Sequence, residues 1–213
     1  MRVLVCLPTR NEIESIELMI DKIKTLNLDL IISDQNSNDG TIEKSNVKNI
    51  PVYQRDGDGK GWGVRKALAV AKEKGYDALV MIDCDYTYQP EQIPKLLDFI
   101  SENEMVVGIR NMKDIQFSHR LVNIFHSQFI NFLFGVKLKD INSGLRVINV
   151  DKFIDMLDAE GFDIEAQITA VALKKKFRIK EVCIDYKRRL GKSKIKPMDT
   201  FRIIKRIIKE RFR

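Results

Sequence analysis

Short apolar runs, each closed by polar turn residues, set the rhythm of the first half of the chain. Residues 3–7, 28–33, 52–53, 78–82 and 106–109 are such runs, and they read as strands buried in a sheet. Pro8 stops the first of them and Arg110 follows the last. Between them the apolar positions change to helical spacing. Ile13, Ile16, Ile20 and Ile23 follow the first strand, and a helix reaching Lys74 follows the third. Pro90 and Glu91 open another helix that passes through Leu97 and Ile100. The turn and cap residues 34–41 end the second strand and predict a short helix after them. Strand and helix alternating over 110 residues predict a mostly parallel sheet with helices on both faces.

The second half is less regular. Residues 119–134 form an aromatic-rich helical pattern with Leu121, Phe125, Phe129, Phe132 and Leu133. The polar loop 140–146 enters a strand at 145–148, and residues 162–165 start a helix that runs to Lys175. A strand at 179–186 and a last helix from about Pro197 complete the pattern.

The length of 213 residues predicts one domain with at most a small appendage. At 44% apolar and 31% charged the composition is that of a globular chain. No apolar run approaches the roughly 18 residues of a membrane span. The first residues pass directly into a strand pattern, too short for a signal peptide, so the expected location is the cytoplasm. Cys6, Cys84 and Cys183 lack metal-ligand spacing and read as core residues of a reducing compartment. With His119 and His126 the only histidines, a multi-histidine zinc centre is not expected.

The net charge of +7 is unevenly placed. Residues 187–213 hold twelve Lys or Arg against Asp199 and Glu210, so the first 186 residues carry −3. On the last helix Arg202, Arg206, Lys209 and Arg213 fall on one stripe, and Phe201, Ile204, Ile207 and Ile208 on the other side. A basic amphipathic helix of this kind lies on a membrane surface or a partner, or packs on its own domain with a solvated basic face. The helix at 119–134 has the same two readings, core packing or an exposed lipid-facing surface.

Candidate chemistry centres on Asp83-Cys84-Asp85, which ends the apolar run 78–82. The carboxyl ends of strands are where open α/β sheets bind ligands. Residues i and i+2 of an extended segment face one side, so the two carboxylates can share a hard cation such as Mg²⁺ or Mn²⁺. The same two acids could equally be a solvated turn. Gly57, Gly59, Gly61 and Gly63 precede a helix, as in a phosphate cradle, although the spacing matches neither Walker A nor the dinucleotide fingerprint. A flexible loop is the other reading.

Seven loops together resemble glycosyltransferase family 2, in its dolichol-phosphate mannose synthase-like branch. They occur in the family's order from residue 8 to 194. They are Pro8-Thr9-Arg10-Asn11-Glu12, the 34–41 segment with Gln35 where a second acid is usual, Gly59-Lys60-Gly61, Asp83-Cys84-Asp85, Pro90-Glu91, the 140–146 segment Asp140-Ile141-Asn142-Ser143-Gly144-Leu145-Arg146, and the 189–194 segment Arg189-Leu190-Gly191-Lys192-Ser193-Lys194. The resemblance implies a GT-A fold: a single Rossmann-like, mostly parallel sheet at 1–194, followed by a basic amphipathic tail helix at 195–213. Residues 1–110 would be the nucleotide-sugar half and 111–194 the acceptor half. It implies an inverting, metal-dependent transfer from a nucleotide-diphosphate sugar to a dolichyl or polyprenyl phosphate, with the protein peripherally associated with the inner face of the cell membrane and no nucleic acid bound.

Under that resemblance Pro8, Arg10, Glu12, Asp34, Lys60, Cys84, Arg189 and Lys194 would surround the nucleotide sugar, with Asp83 and Asp85 holding Mg²⁺ or Mn²⁺. Arg110, Arg120, Ser143 and Arg146 would receive the acceptor, and Asp85, Asp140 and Arg189 would be catalytic. Thr87 stands where many relatives have Gln. The chemistry is consistent with this on its own terms. Negative charge develops on the leaving diphosphate, and a metal with Arg189 and Lys194 can stabilise it. A lipid phosphate is already largely dianionic at neutral pH and requires no base. A sugar hydroxyl would require one, with Asp140, Asp163 and Glu165 the candidates. Two other readings stay open, a soluble family 2 enzyme acting on a hydroxyl or small molecule and a nucleic-acid binder using the basic tail; against a third, a nucleotidyltransferase, stands Pro8-Thr9-Arg10-Asn11-Glu12 where such enzymes have a glycine-rich loop.

Overall fold

The computed structural model describes residues 1–191 and 193–213; Lys192, part of the 189–194 motif, lies outside the described residues. Seven strands form one sheet in the order β3-β2-β1-β4-β6-β5-β7. They are β1 (Val3–Thr9), β2 (Asp29–Asp34), β3 (Val52–Gln54), β4 (Ala78–Met81), β5 (Met105–Arg110), β6 (Arg146–Asn149) and β7 (Ile179–Ile184). All neighbours run parallel except β6, which is antiparallel to both β4 and β5. Expected and observed strands agree in number and place. Pro8 does not stop β1, which continues to Thr9 in register with β2. Its missing N–H falls on the penultimate residue, where one ladder bond is lost.

The helices are α1 (Ile16–Lys24), α2 (Thr41–Val47), α3 (Lys60–Glu73), α4 (Ile93–Leu97), α5 (Phe117–Phe134), α6 (Val150–Phe153), α7 (Ile164–Lys174) and α8 (Pro197–Phe212). The helix expected from Pro90 to Ile100 is a 3-10 turn, Pro90–Gln92, followed by α4, which ends at Leu97. α6, a single turn after β6, has no periodicity long enough to be read from sequence.

Alternation along β1 explains the layers. Leu4 and Cys6 face a core built with Val64, Ala67 and Leu68 of α3 and Ile164 and Ile168 of α7. Val5 and Leu7 face the opposite core, built with Ile16, Met19, Ile20 and Ile23 of α1 and Ile93 and Leu96 of α4. A strand buried on both faces is apolar throughout, which is why these runs show no polar alternation. A third cluster joins Ile130 of α5, Ala166 and Ala170 of α7, and Ile203 and Ile207 of α8. The last helix is thus packed onto the domain along one side.

The antiparallel β6 has a consequence for function. The chain leaves β5 at the carboxyl edge of the parallel strands, passes through α5, and re-enters the sheet from that same edge, with Arg146 beside Met81 and Val107. The 140–146 loop therefore meets the loops that follow β1, β2 and β4.

Candidate active site

The loops after β1 and β2 are tied together by hydrogen bonds. Asp34 has no exposed surface; its Oδ1 accepts from the Thr9 hydroxyl at 2.8 Å and the Ser37 hydroxyl at 2.6 Å, and its Oδ2 from the Ser37 N–H at 2.8 Å. The N–H groups of Asn11 and Glu12 donate to Ser37 Oγ and Thr41 Oγ1, both at 2.8 Å. Asp34 thus shapes the loop from inside. Gln35, in place of the usual acid, is also engaged: its amide donates to Asp58 Oδ1 at 2.7 Å and its oxygen accepts from the Gly59 N–H at 3.2 Å. Arg55 joins the same knot, donating to Thr9 O at 2.9 Å and Gly59 O at 3.0 Å. Burial lowers its guanidinium to about 10.

The glycine segment 57–63 is not a phosphate cradle. Two first-turn N–H groups of α3 already have acceptors, Gly61 N–H on Gly161 O at 3.1 Å and Trp62 N–H on Glu160 O at 3.3 Å. A Cβ on Gly59 would lie 2.3 Å from Glu160 O, and one on Gly61 would lie 2.2 Å from Ala159 O. The glycines are there so that two backbones can touch. Lys60, between them, is buried and bridges Asp83 and Glu165. Burial works to lower its ammonium, but the two carboxylates outweigh burial and hold it above its ordinary value.

Asp83 and Asp85 follow β4 at the carboxyl edge, but not as one extended segment. The strand ends at Met81 and the chain turns at 84–85, with Tyr86 at φ 62°. The two carboxylates have different partners. Asp83 faces Lys60 and Gly144, where a Cβ would lie 2.1 Å from its Oδ2. Asp85 receives the Thr87 N–H at 3.0 Å and hydroxyl at 2.5 Å on Oδ1, and Arg189 on Oδ2. Cys84 between them is 2% exposed in the α1–α4 core, which corrects the expectation that it contacts nucleotide sugar.

The segment after β7 crosses this edge. Lys187 N–H donates to Thr87 O and Leu190 N–H to Asp85 O, both at 2.9 Å, so 187–190 lies along 85–87. Beyond Arg189 on Asp85, Lys194 pairs with Glu12 and donates to Asn11 O at 3.2 Å. Burial pushes the Glu12 carboxyl up, against the pull of Lys194. Asn11, Glu12, Ile13, Asp39, Gly191 and Lys194 are among the residues lining a cavity of about 260 Å³ under this strap. Pro8 is half-buried in β1 and Arg10 is exposed at the edge.

The expected acceptor residues separate. Arg146 is fully buried, and its guanidinium donates to the carbonyls of Ile141, Ser143 and Glu165 at 2.7–3.2 Å and to the Thr169 hydroxyl at 3.3 Å. It clasps the 140–146 loop to α7 and does not meet an acceptor. Ser143 is buried too, its hydroxyl on Gly108 O. Asp140, expected to be catalytic, grips Arg110 with both oxygens, Nε–Oδ2 at 2.7 Å and Nη2–Oδ1 at 2.8 Å. Both side chains of that pair are buried. Arg120 remains half-buried on α5, with its guanidinium carbon 5.1 Å from the centre of the Phe117 ring.

The donor set suits a hard cation. Asp83 and Asp85 offer only oxygen, and each carboxylate is now balanced by the end of one long cationic side chain. Among the described residues no group of three His, Cys, Asp or Glu is gathered for a metal. Two protein carboxylates with a diphosphate supplying further oxygens is the usual arrangement for Mg²⁺.

Sequence reasoning missed three features: the Glu165–Lys60–Asp83 bridge, the Arg55–Gln35 knot, and a cluster of α8 cations on Asp158. Lys60 beside two glycines was a signal, but its partners lie 23 residues and more away. The stripe of Arg206, Lys209 and Arg213 faces Asp158 of its own domain.

The sequence profile of glycosyl transferase family 2 matches residues 4–157. The chain is 30% identical to the undecaprenyl-phosphate mannosyltransferase of Micrococcus luteus, over 92% of this chain and 88% of that one. It is 28% identical to a dolichyl-phosphate hexose transferase of Haloferax volcanii, over 91% and 86%. The fold superposes on glucosyl-3-phosphoglycerate synthase from Mycobacterium tuberculosis, solved with Mg²⁺ and uridine diphosphate, with a TM-score of 0.80 at 21% identity, covering 98% of this chain and 79% of that one.

Proposed function

The chain belongs to glycosyl transferase family 2 and is a glycosyltransferase, and from that premise we propose that it moves a sugar from a nucleotide-diphosphate sugar to a polyprenyl phosphate. The observation that carries the acceptor class is the state of the three carboxylates that could act as a base. Asp140 is bound to Arg110, Asp163 to Arg206 and Glu165 to Lys60. An acceptor hydroxyl would need one of them free. A phosphate monoester, with its second pKa near 6, brings its own nucleophilic oxygen. The names of the relatives point the same way.

In this reading Asp83 and Asp85 would hold Mg²⁺ or Mn²⁺, which when bound would supply positive charge for the leaving diphosphate. Arg189 and Lys194 exchange their carboxylates for the phosphates, Arg189 with a fork suited to two oxygens. Glu12, with Asn11 and Asp39, lines the cavity on the nucleoside side, and Asp34 and Gln35 hold those loops in shape. Arg120, half-buried on α5, receives the acceptor phosphate. Its guanidinium already lies over the Phe117 ring, so little reorganisation precedes transfer.

A polyprenyl phosphate resides in a bilayer, and no described helix is long and apolar enough to cross one. Contact from the membrane surface is the route proposed, and α5 and α8 are its candidates. Of the thirteen exposed large hydrophobic side chains among the described residues, nine lie on these two helices, among them Phe117, Phe125, Phe132, Phe201 and Phe212. Apolar side chains would make the contact beside the exposed cations Arg202, Lys209 and Arg213, Arg206 alone being turned inward. Phe201→Ser with Phe212→Ser should weaken binding to anionic vesicles; unchanged co-sedimentation would remove α8 from the membrane face.

The function is tested with purified protein, Mg²⁺ or Mn²⁺, a polyprenyl phosphate and labelled GDP-mannose, UDP-glucose or UDP-N-acetylglucosamine. Lipid-extractable label from one donor is the expected result. Transfer only to water-soluble acceptors would replace the lipid reading with the hydroxyl one.

A further inference from the structure

Three cations of α8, Arg206, Lys209 and Arg213, converge on Asp158, and a closed cluster is built around that carboxylate. Arg206 also reaches Asp163 at 2.7 Å and Glu210 at 3.3 Å. Gln167 of α7, fully buried, donates from Nε2 to Asp158 at 2.6 Å and Glu210 at 2.7 Å. Its oxygen accepts the N–H groups of Asp158 at 3.0 Å and Ala159 at 2.7 Å. Asp163 takes the Gly161 N–H at 3.2 Å. Residues 158–163 contain no helix or strand. Their path is set by the side chains that grip them at both ends.

That segment is the one whose carbonyls meet the first turn of α3, where Gly59 and Gly61 leave no room for a Cβ. Lys60 sits between those contacts and holds Asp83. Contact therefore runs without a break from Arg206, through the 158–163 backbone, to the first turn of α3 and on to the carboxylate. Glu210 and Asp163 are 3% and 8% exposed, so loss of Arg206 leaves two nearly buried acids without their shared cation. The segment has to relax, and α3 with it.

We propose that Arg206 is a positioning residue for the donor site: through residues 158–163 it sets the first turn of α3 and so the place of Lys60 against Asp83. The role in donor binding rests on the function proposed above; the mechanical coupling does not. Trp62, the single tryptophan of the chain, donates its backbone N–H to Glu160 and reports on this joint directly.

The experiment compares wild type, Arg206→Met and Leu96→Ala. Leu96 is buried in the opposite layer and controls for general loss of stability. Each is read by Trp62 fluorescence, by amide exchange of Gly61 and Trp62, and by titration with GDP or UDP in the presence of Mn²⁺. Arg206→Met should shift the emission, speed exchange at both amides beyond what Leu96→Ala does at comparable thermal midpoint, and weaken nucleotide binding about tenfold. Emission and exchange no different from Leu96→Ala would overturn the proposal. If Arg206→Met does not fold, Lys209→Met with Arg213→Met, both on the same carboxylate but more exposed, should give smaller changes of the same sign, and no change would overturn it equally. Wild type that binds neither GDP nor UDP would sink the donor reading, while Trp62 still decides the coupling.

Discussion

Two Arg–Asp pairs at the carboxyl edge of the sheet share the same chemistry and differ in everything else. Arg110 and Asp140 are 7% and 0% exposed, joined by two parallel bonds, and lie 30 residues apart. Arg189 meets Asp85 through one nitrogen, is 33% exposed, and arrives on a loop 104 residues later. Taking away one member of the first pair leaves a charge where water cannot follow. Taking Arg189 from Asp85 returns a guanidinium toward solvent and leaves Asp85, 4% exposed, with the Thr87 N–H and hydroxyl still on it. The first pair is part of the fold, and the second can be exchanged for ligand. At this edge the exposure of one member of the pair, Arg189 at 33% or Asp83 beside Lys60 at 28%, separates the acids available for chemistry from the structural one.

The largest expected effect breaks the buried pair. Arg110→Met should cost about 3–5 kcal/mol of folding stability in urea denaturation, and Arg189→Met should cost less, since Asp85 keeps the Thr87 N–H and hydroxyl. Equal losses would end the distinction. Asp85→Asn should reverse the ranking, with sugar transfer falling about 10²–10³-fold at an unchanged thermal midpoint. An active Asp85→Asn enzyme would take Asp85 out of the metal site.

The same contrast explains what could be read from the chain alone. The strands were legible because runs buried on both faces carry no polar residues, and the run 78–82 ends where Asp83 begins. The direction of β6 was not, since a four-residue strand looks alike in either direction. Arg146, Asp140 and Ser143 were expected to meet ligand because they are polar residues in a family loop. Which of them face inward depends on partners such as Glu165 and Arg110, 19 and 30 residues away. Glycines at 57–63 fit both a phosphate cradle and a close backbone approach, and only the contact with residues 159–161 decides between them. The α8 stripe had the right period, but nothing local shows that Asp158, 48 residues from Arg206, is its partner.

Gly144 sharpens the comparison from the backbone side. It belongs to the loop held by the buried residues Arg146 and Ser143, yet a Cβ there would press on Asp83 at 2.1 Å. Gly144→Ala should therefore displace an exchangeable acid by way of the rigid loop. Transfer should fall by up to about 10²-fold, the scale of a misplacement near 1 Å, with Mn²⁺ affinity in the presence of nucleotide lowered in parallel. A variant with full activity would mean that the loop yields and Asp83 does not.

Asp158 lies between the two extremes, and its pH response is the smallest of these effects. Its side chain is 41% exposed, but Lys209, Arg206 and Arg213 of α8 and Gln167 of α7 all face it. Burial pushes the carboxyl up, and the bonds from Lys209 and Gln167, with the charge of Arg206, outweigh it and hold the group well below the ordinary carboxylate range. A carboxylate lowered in the folded state contributes stability above its unfolded value of about 3.9. That contribution fades as pH falls from there through the folded value. Below about pH 4 the unfolding midpoint of the wild type should drop more steeply than that of Asp158→Asn, so that the gap between them narrows with acid. Exposure and salt limit the size of the effect, and raised ionic strength should shrink it further. A gap that stays constant from neutral to acid pH would show that Asp158 titrates as an ordinary surface acid, and would group the α8 cluster with the exchangeable pairs instead of the buried one.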